Sequence, residues 1–142
     1  MGKRRLQNER GAAVVEFAIV SVVLLIIVFG VIELGILMFD KHILTNASRE
    51  GARAGIVMRT PRVSNAAILA KVNEYAEAHM VSFGASSTLS VTVTPNEASR
   101  AGAASSGEEL EVSVTYPFEF LILSGFGLKP LTLTANTRMR IE

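Results

Sequence analysis

Two carboxylates in or beside an apolar stretch are the first residues whose chemistry needs an explanation. Glu16 stands at the entrance of the run Phe17–Phe39, and Glu33 stands inside it. A carboxylate at mid-bilayer costs ~2.5–3.5 kcal/mol on insertion scales, and less near the edge. Glu16 lies five positions after Gly11. A cut after Gly11 would place a new α-amine on Ala12, and Glu16 would then lie at i+4 from it. That amine, on the same chain or on a neighbour, is a natural ionic partner for Glu16. Glu33 has poor candidates within the chain, since Lys41 is two turns away. A cation on a partner subunit or the outer headgroup zone is the expected partner, unless Glu33 simply reaches water at the outer interface.

Other chemistries find little support. With no Cys there is no disulfide framework, thiol nucleophile or Cys-based zinc site. His42 and His79 lie far apart with no ligand cluster near either, so both read as ordinary histidines and no metal or other cofactor is implied. No Ser–His–acid grouping or phosphate-cradling glycine motif stands out. Glu108 and Glu109 are adjacent and would point to opposite sides of a strand. A formal net charge of +1 argues against a nucleic-acid binder with a strongly basic surface.

The elements that must position the two acids begin with the apolar run. Phe17–Phe39 is 23 residues long with Glu33 its only charge, and its aliphatic residues occupy every helical face. A hydrocarbon core ~30 Å thick needs about 20 such residues, so the run reads as a membrane span. Lys3, Arg4, Arg5 and Arg10 precede it, which places the N-terminus in the cytoplasm and the rest outside. The stretch is too long for a secretory signal, and no A-x-A-like site closes it. Residues 1–11 carry a side-chain charge of +3, and their removal would leave −2.

At Arg10-Gly11-Ala12-Ala13-Val14-Val15-Glu16-Phe17 the sequence resembles type IV prepilins, and more closely the TadE-like family of minor pilins or pseudopilins of the tight-adherence (Flp) pilus. The likeness rests on a basic leader, a Gly followed by small residues and Glu-Phe, and then an aliphatic helix. A second signature runs Phe29-Gly30-Val31-Ile32-Glu33-Leu34-Gly35, followed by Leu44-Thr45-Asn46-Ala47-Ser48-Arg49-Glu50-Gly51-Ala52-Arg53. The resemblance implies that Gly11 precedes the bond cut by a prepilin peptidase and that Ala12 is the mature N-terminus. Glu16, with Phe17, would serve processing or subunit registry. It implies no enzyme activity, and it implies other pilin subunits, the Tad assembly platform and membrane lipid as partners. The site would be the bacterial inner membrane, crossed once. Phe17 in place of Tyr, and the length of the chain, favour a minor component over the main filament subunit.

An apolar stripe of Ile36, Leu37, Phe39, Ile43, Leu44 and Ala47 carries on past Asp40, predicting one long helix. Ala47, Gly51 and Gly55 recur at i+4 as a strip without bulk, suited to packing against another helix, unless the glycines merely mark fraying. Arg49, Glu50 and Arg53 read as a solvated face. A second, amphipathic helix is expected from Pro61, capped by Thr60, to about Phe83, with Gly84 as its stop. Its apolar face would be Leu69, Val72, Ala76, Met80 and Phe83. Three alternating segments follow, around 89–94, 110–116 and 131–141, and predict an antiparallel sheet covered on one face by either helix. Pro95–Gly107 reads as a flexible connection. Pro117–Pro130 is a long apolar connection, too short to span, that either folds onto the core or meets the membrane or a partner.

The fold class is therefore α+β and pilin-like. It has a leader (1–11), a transmembrane and spine helix (12–58) and an exported head (59–142). The functional expectation is a structural one, a minor pilin or pseudopilin processed after Gly11 and assembled through its N-terminal helix. An uncleaved, signal-anchored envelope protein whose head is a binding module is the alternative. A membrane-tethered enzyme is the third reading, and the missing catalytic constellation weighs against it.

Overall fold

The computed structural model describes residues 2–57, 62–82, 88–97 and 107–141. Helix α1 (Gly2–Ile56) runs 55 residues without interruption and continues through Gly11. At 1.5 Å per residue it is about 80 Å long. No Pro lies within it, and its aliphatic inner half favours helix wherever backbone groups lack water to bond. Residues 11–20 are exposed on every face, and so are most positions up to Ile32. This is the one described helix long and apolar enough to cross a membrane, with a mean hydropathy of 3.0 over its richest window.

The outer half of the same helix has a different environment. Leu37, Asp40, Leu44, Ala47, Ser48, Gly51 and Gly55 are buried, at steps of three and four that trace one face. That face lies on a three-stranded antiparallel sheet in the order β1 (Ser90–Thr94), β2 (Glu109–Phe118), β3 (Leu131–Arg140). In register, Val93 pairs with Val112, Val114 with Ala135, and Tyr116 with Leu133. The alternation predicted for the strands holds for Leu110, Val112, Val114, Tyr116 and Phe118 of β2 and for Leu133 and Ala135 of β3, which point inward, but Leu131, expected on the same side, is exposed. The sheet's principal cover is α1, which meets both β2 and β3, while α2 (Asn65–His79) packs chiefly on α1.

Helix α2 is shorter than the expected 61–83 and begins later. Ser64 caps it, its hydroxyl accepting from the Ala67 N–H at 3.2 Å, and Glu97 accepts from the Asn65 N–H at 3.0 Å. Its buried residues are Ile68, Val72 and Ala76, so Ile68 rather than Leu69 leads the inward face; Leu69 and Met80 are half-buried. The helix ends because Met80 turns extended, which sends the Val81 N–H to Asp40 on α1. Thr60, Pro61, Phe83 and Gly84 lie outside the described residues, as does most of the 95–107 connection.

Ala47, Gly51 and Gly55 are where the head closes on α1. A Cβ on Gly51 would sit 2.4 Å from Val72 Cγ2, and one on Gly55 would sit 2.5 Å from Leu110 Cδ2 and 2.8 Å from Ile68 Cδ1. The strip thus lies against α2 and β2 of its own chain. Val72 is β-branched and stiff at χ1, so it cannot swing aside freely. Overpacking costs ~1–3 kcal/mol, against a gain of about 0.8–1.0 kcal/mol from replacing a helical Gly by Ala. Gly51→Ala and Gly55→Ala are therefore expected to lower the thermal stability of the head, measured by proteolytic resistance of the full chain in detergent. Gly35→Ala, whose Cβ meets nothing within 4 Å, should be neutral or slightly stabilising. A Gly51→Ala chain as resistant as the parent would contradict this packing.

Candidate functional site

Among the described residues the buried polar side chains are Glu33, Asp40 and Ser48, all on α1. Each holds a different part of the head. Ser48 Oγ lies 2.6 Å from Thr137 Oγ1 on β3 and bonds the Thr45 carbonyl at 2.8 Å. Asp40 Oδ1 accepts the Val81 N–H at 3.1 Å, fixing the segment that leaves α2, while Oδ2 is buried without a hydrogen-bond partner. Burial pushes the Asp40 carboxyl above its ordinary value of 3.8, and the Val81 N–H partly opposes that shift. A raised acid is better tolerated protonated. This site therefore costs stability as pH rises from the ordinary carboxyl range through the raised value.

Glu33 engages the long apolar connection that follows β2. After β2 the chain enters a short 3-10 turn, Leu123–Phe126, with Gly127 at a left-handed φ of 88° closing it. Glu33 Oε1 accepts the Ile122 N–H and Oε2 accepts the Leu123 N–H at 3.1 Å. The Leu123 side chain lies over Gly30, one helical turn below Glu33, at 3.9 Å from where a Cβ would stand. Glu33 therefore has partners within its own chain. Its donors are backbone amides almost 90 residues away, which carry no residue-type signature in the sequence. Lys41, the in-chain cation considered for Glu33, donates to the Thr134 carbonyl of β3 instead.

The remaining candidates are spread along α1. Gly11, Ala12, Glu16 and Phe17 are all exposed on the continuous helix, with Ala12 one turn from Glu16. Arg49, Glu50 and Arg53 are exposed and line an open groove with Tyr75 and Met139 that holds no Ser, Cys or His. His79 stacks on Tyr75 at 4.5 Å and bonds its carbonyl, and His42 is exposed. No three His, Cys, Asp or Glu gather closely enough to hold a metal among the described residues. The Pro117–Pro130 segment divides its roles. Phe118 and Phe120 are buried against each other's edges, whereas Leu121, Phe126 and Leu128 are exposed.

This geometry defines a class, a single-span helical anchor whose outer half is the core of a small α+β head. The model of the TadE-like protein family matches residues 11–53, the part of α1 from the Gly11 junction to the small-residue strip. That stretch is what this chain shares with TadE-like proteins, and it suggests a Tad pilus-related protein. No curated protein and no solved structure matches the chain.

The Glu33 clamp yields a direct test. Glu33→Ala removes both acceptors and should speed amide hydrogen exchange at Ile122 and Leu123 about tenfold or more, taking ~1.5–3 kcal/mol for bonds to a charged acceptor. Glu33→Gln keeps one carbonyl oxygen and should lie between. Unchanged exchange in Glu33→Ala would show that the turn is held by packing alone.

Proposed function

We propose that the chain is a minor pilin or pseudopilin of a Tad/Flp-type pilus, cut by a prepilin peptidase after Gly11 and assembled through α1. The observation that carries this reading is the unpartnered inner half of α1. Residues 11–20 are exposed all round, and among the described residues the buried positions of α1 begin at Glu33. Lipid suits such a surface while the protein waits in the inner membrane, N-terminus inside. Helices of neighbouring subunits suit it equally after assembly, because van der Waals packing there replaces contact with acyl chains.

Within this reading each junction residue has one task. The basic leader orients the chain before cleavage. Cleavage between Gly11 and Ala12 removes that charge and frees an α-amine. Glu16 then lies one turn from its own amine and within reach of a neighbour's, and the ion pair fixes the stagger of adjacent helices. Phe17 follows as the first large apolar side chain of the packing surface. In an apolar setting an unmatched carboxylate is expensive, so mismatched registers are penalised. The reading makes the head structural, supporting pilus biogenesis, adhesion or secretion.

The test compares the parent with Glu16→Ala in the native host, by intact mass and by recovery in sheared pili. The parent should begin at Ala12. Glu16→Ala should accumulate as a stable membrane protein yet fall at least tenfold in the assembled fraction. A parent beginning at Met1 or Gly2 would remove the pilin mechanism and favour a signal-anchored binding module. Normal incorporation of Glu16→Ala would remove Glu16 from assembly.

A further inference from the structure

We propose that residues 121–131, the loop after β2 and the first residue of β3, are a second membrane contact that seats the head in the outer leaflet beside α1. The contact requires only that α1 spans the bilayer, and it is independent of cleavage and of pilus assembly.

Depth is the first argument. Glu33 lies 22 residues after Gly11 on an unbroken helix, about 33 Å along the axis. The hydrocarbon core is ~30 Å thick. With the last leader cation, Arg10, at the inner boundary, the outer boundary falls close to Glu33. The turn at Leu123 is fastened there, by Glu33 to the Ile122 and Leu123 N–H groups and by Leu123 lying over Gly30. The loop is therefore at the level of the outer leaflet, whatever lies around it.

Its surface suits that level. Leu121, Phe126, Leu128 and Leu131 are between 44% and 59% exposed, in a connection where polar residues would be expected if it faced water. Val31 and Ile32, beside Glu33 on α1, are exposed as well. Lys129 follows Leu128 and is exposed, placed to reach lipid phosphate while its stem stays apolar.

The backbone gives an independent argument. Loops do not enter lipid because unsatisfied N–H and C=O groups are costly there. This one bonds several of its own. Besides the two amides held by Glu33, the Gly125 N–H bonds the Ile122 carbonyl at 3.1 Å and the Gly127 N–H bonds the Ser124 carbonyl at 3.0 Å. The Leu128 N–H reaches the Leu123 carbonyl at 3.3 Å, and Ser124 Oγ donates to the Leu121 carbonyl at 3.1 Å. The placement explains why an acid is tolerated in the span: its oxygens replace water for a turn that lipid surrounds.

The chain contains no Trp, so a single substitution gives a unique fluorophore. Phe126→Trp, at an exposed position, is reconstituted as the full chain in phosphatidylcholine/phosphatidylglycerol vesicles at low protein density. Thr92→Trp, exposed on β1, serves as the solvent control. Lipids brominated high on the acyl chain should quench Phe126→Trp several-fold more than Thr92→Trp, and its emission should be blue-shifted. Equal, weak quenching of the two would overturn the proposal. A blue shift without quenching would also overturn it, and would mean that protein, such as a second copy, covers the patch.

Discussion

One helix has to live in two solvents. A backbone inside lipid must bond to itself, which makes α1 continuous across the bilayer. A head of this size then has too little sequence of its own to build a core from sheet and second helix alone. It uses the outer half of the same helix as its central element. Leu37, Leu44, Ala47 and Ala52 are buried against β2, β3 and α2, so the anchor and the core are one continuous object. A change in the direction of the span is transmitted rigidly to the sheet.

The junction between the two regimes is made by polar groups on one face. Glu33 and Asp40 lie seven residues apart, two turns, and Ser48 lies eight beyond. Each binds a piece of the head that packing alone would leave loose: the turn after β2, the exit of α2, and the middle of β3. Two of the three act on backbone N–H groups at loop starts, where no regular ladder supplies a partner. Small residues complete the face, since Gly51 and Gly55 admit Val72, Ile68 and Leu110 to within contact of the helix backbone. Burying Asp40 costs something, seen in its raised pKa, and its held N–H offsets part of that cost.

Much of this was legible in the residues. Period-two alternation in 110–116 and 131–141 gave the strands and their inward sides, because only one face of the sheet is buried. The continuous aliphatic run gave the span, and the Gly11–Glu16–Phe17 junction with the Gly30–Glu33 signature gave the TadE-like likeness that the family match at 11–53 supports. The start of α2 was not legible: Thr60-Pro61 is a stronger local signal than Ser64, yet Glu97 from across the head reinforces the later start. Its end was missed because Asp40, distant in sequence, captures the Val81 N–H. The partner of Glu33 was hidden for the same reason. Side-chain acceptors meeting backbone donors leave no complementary residue type to find.

In the proposed arrangement α1 passes from lipid to protein near Glu33, with the head outside. A chain without Cys allows that boundary to be mapped directly. Single-Cys variants at Val20, Leu24, Ile32, Met38 and Arg53, all exposed on the helix, would be treated with a membrane-impermeant maleimide on intact spheroplasts. The account predicts protection at Val20, Leu24 and Ile32 and labelling at Arg53, with Met38 labelled as the first position clear of the bilayer. Labelling at Leu24, or protection extending to Arg53, would contradict it.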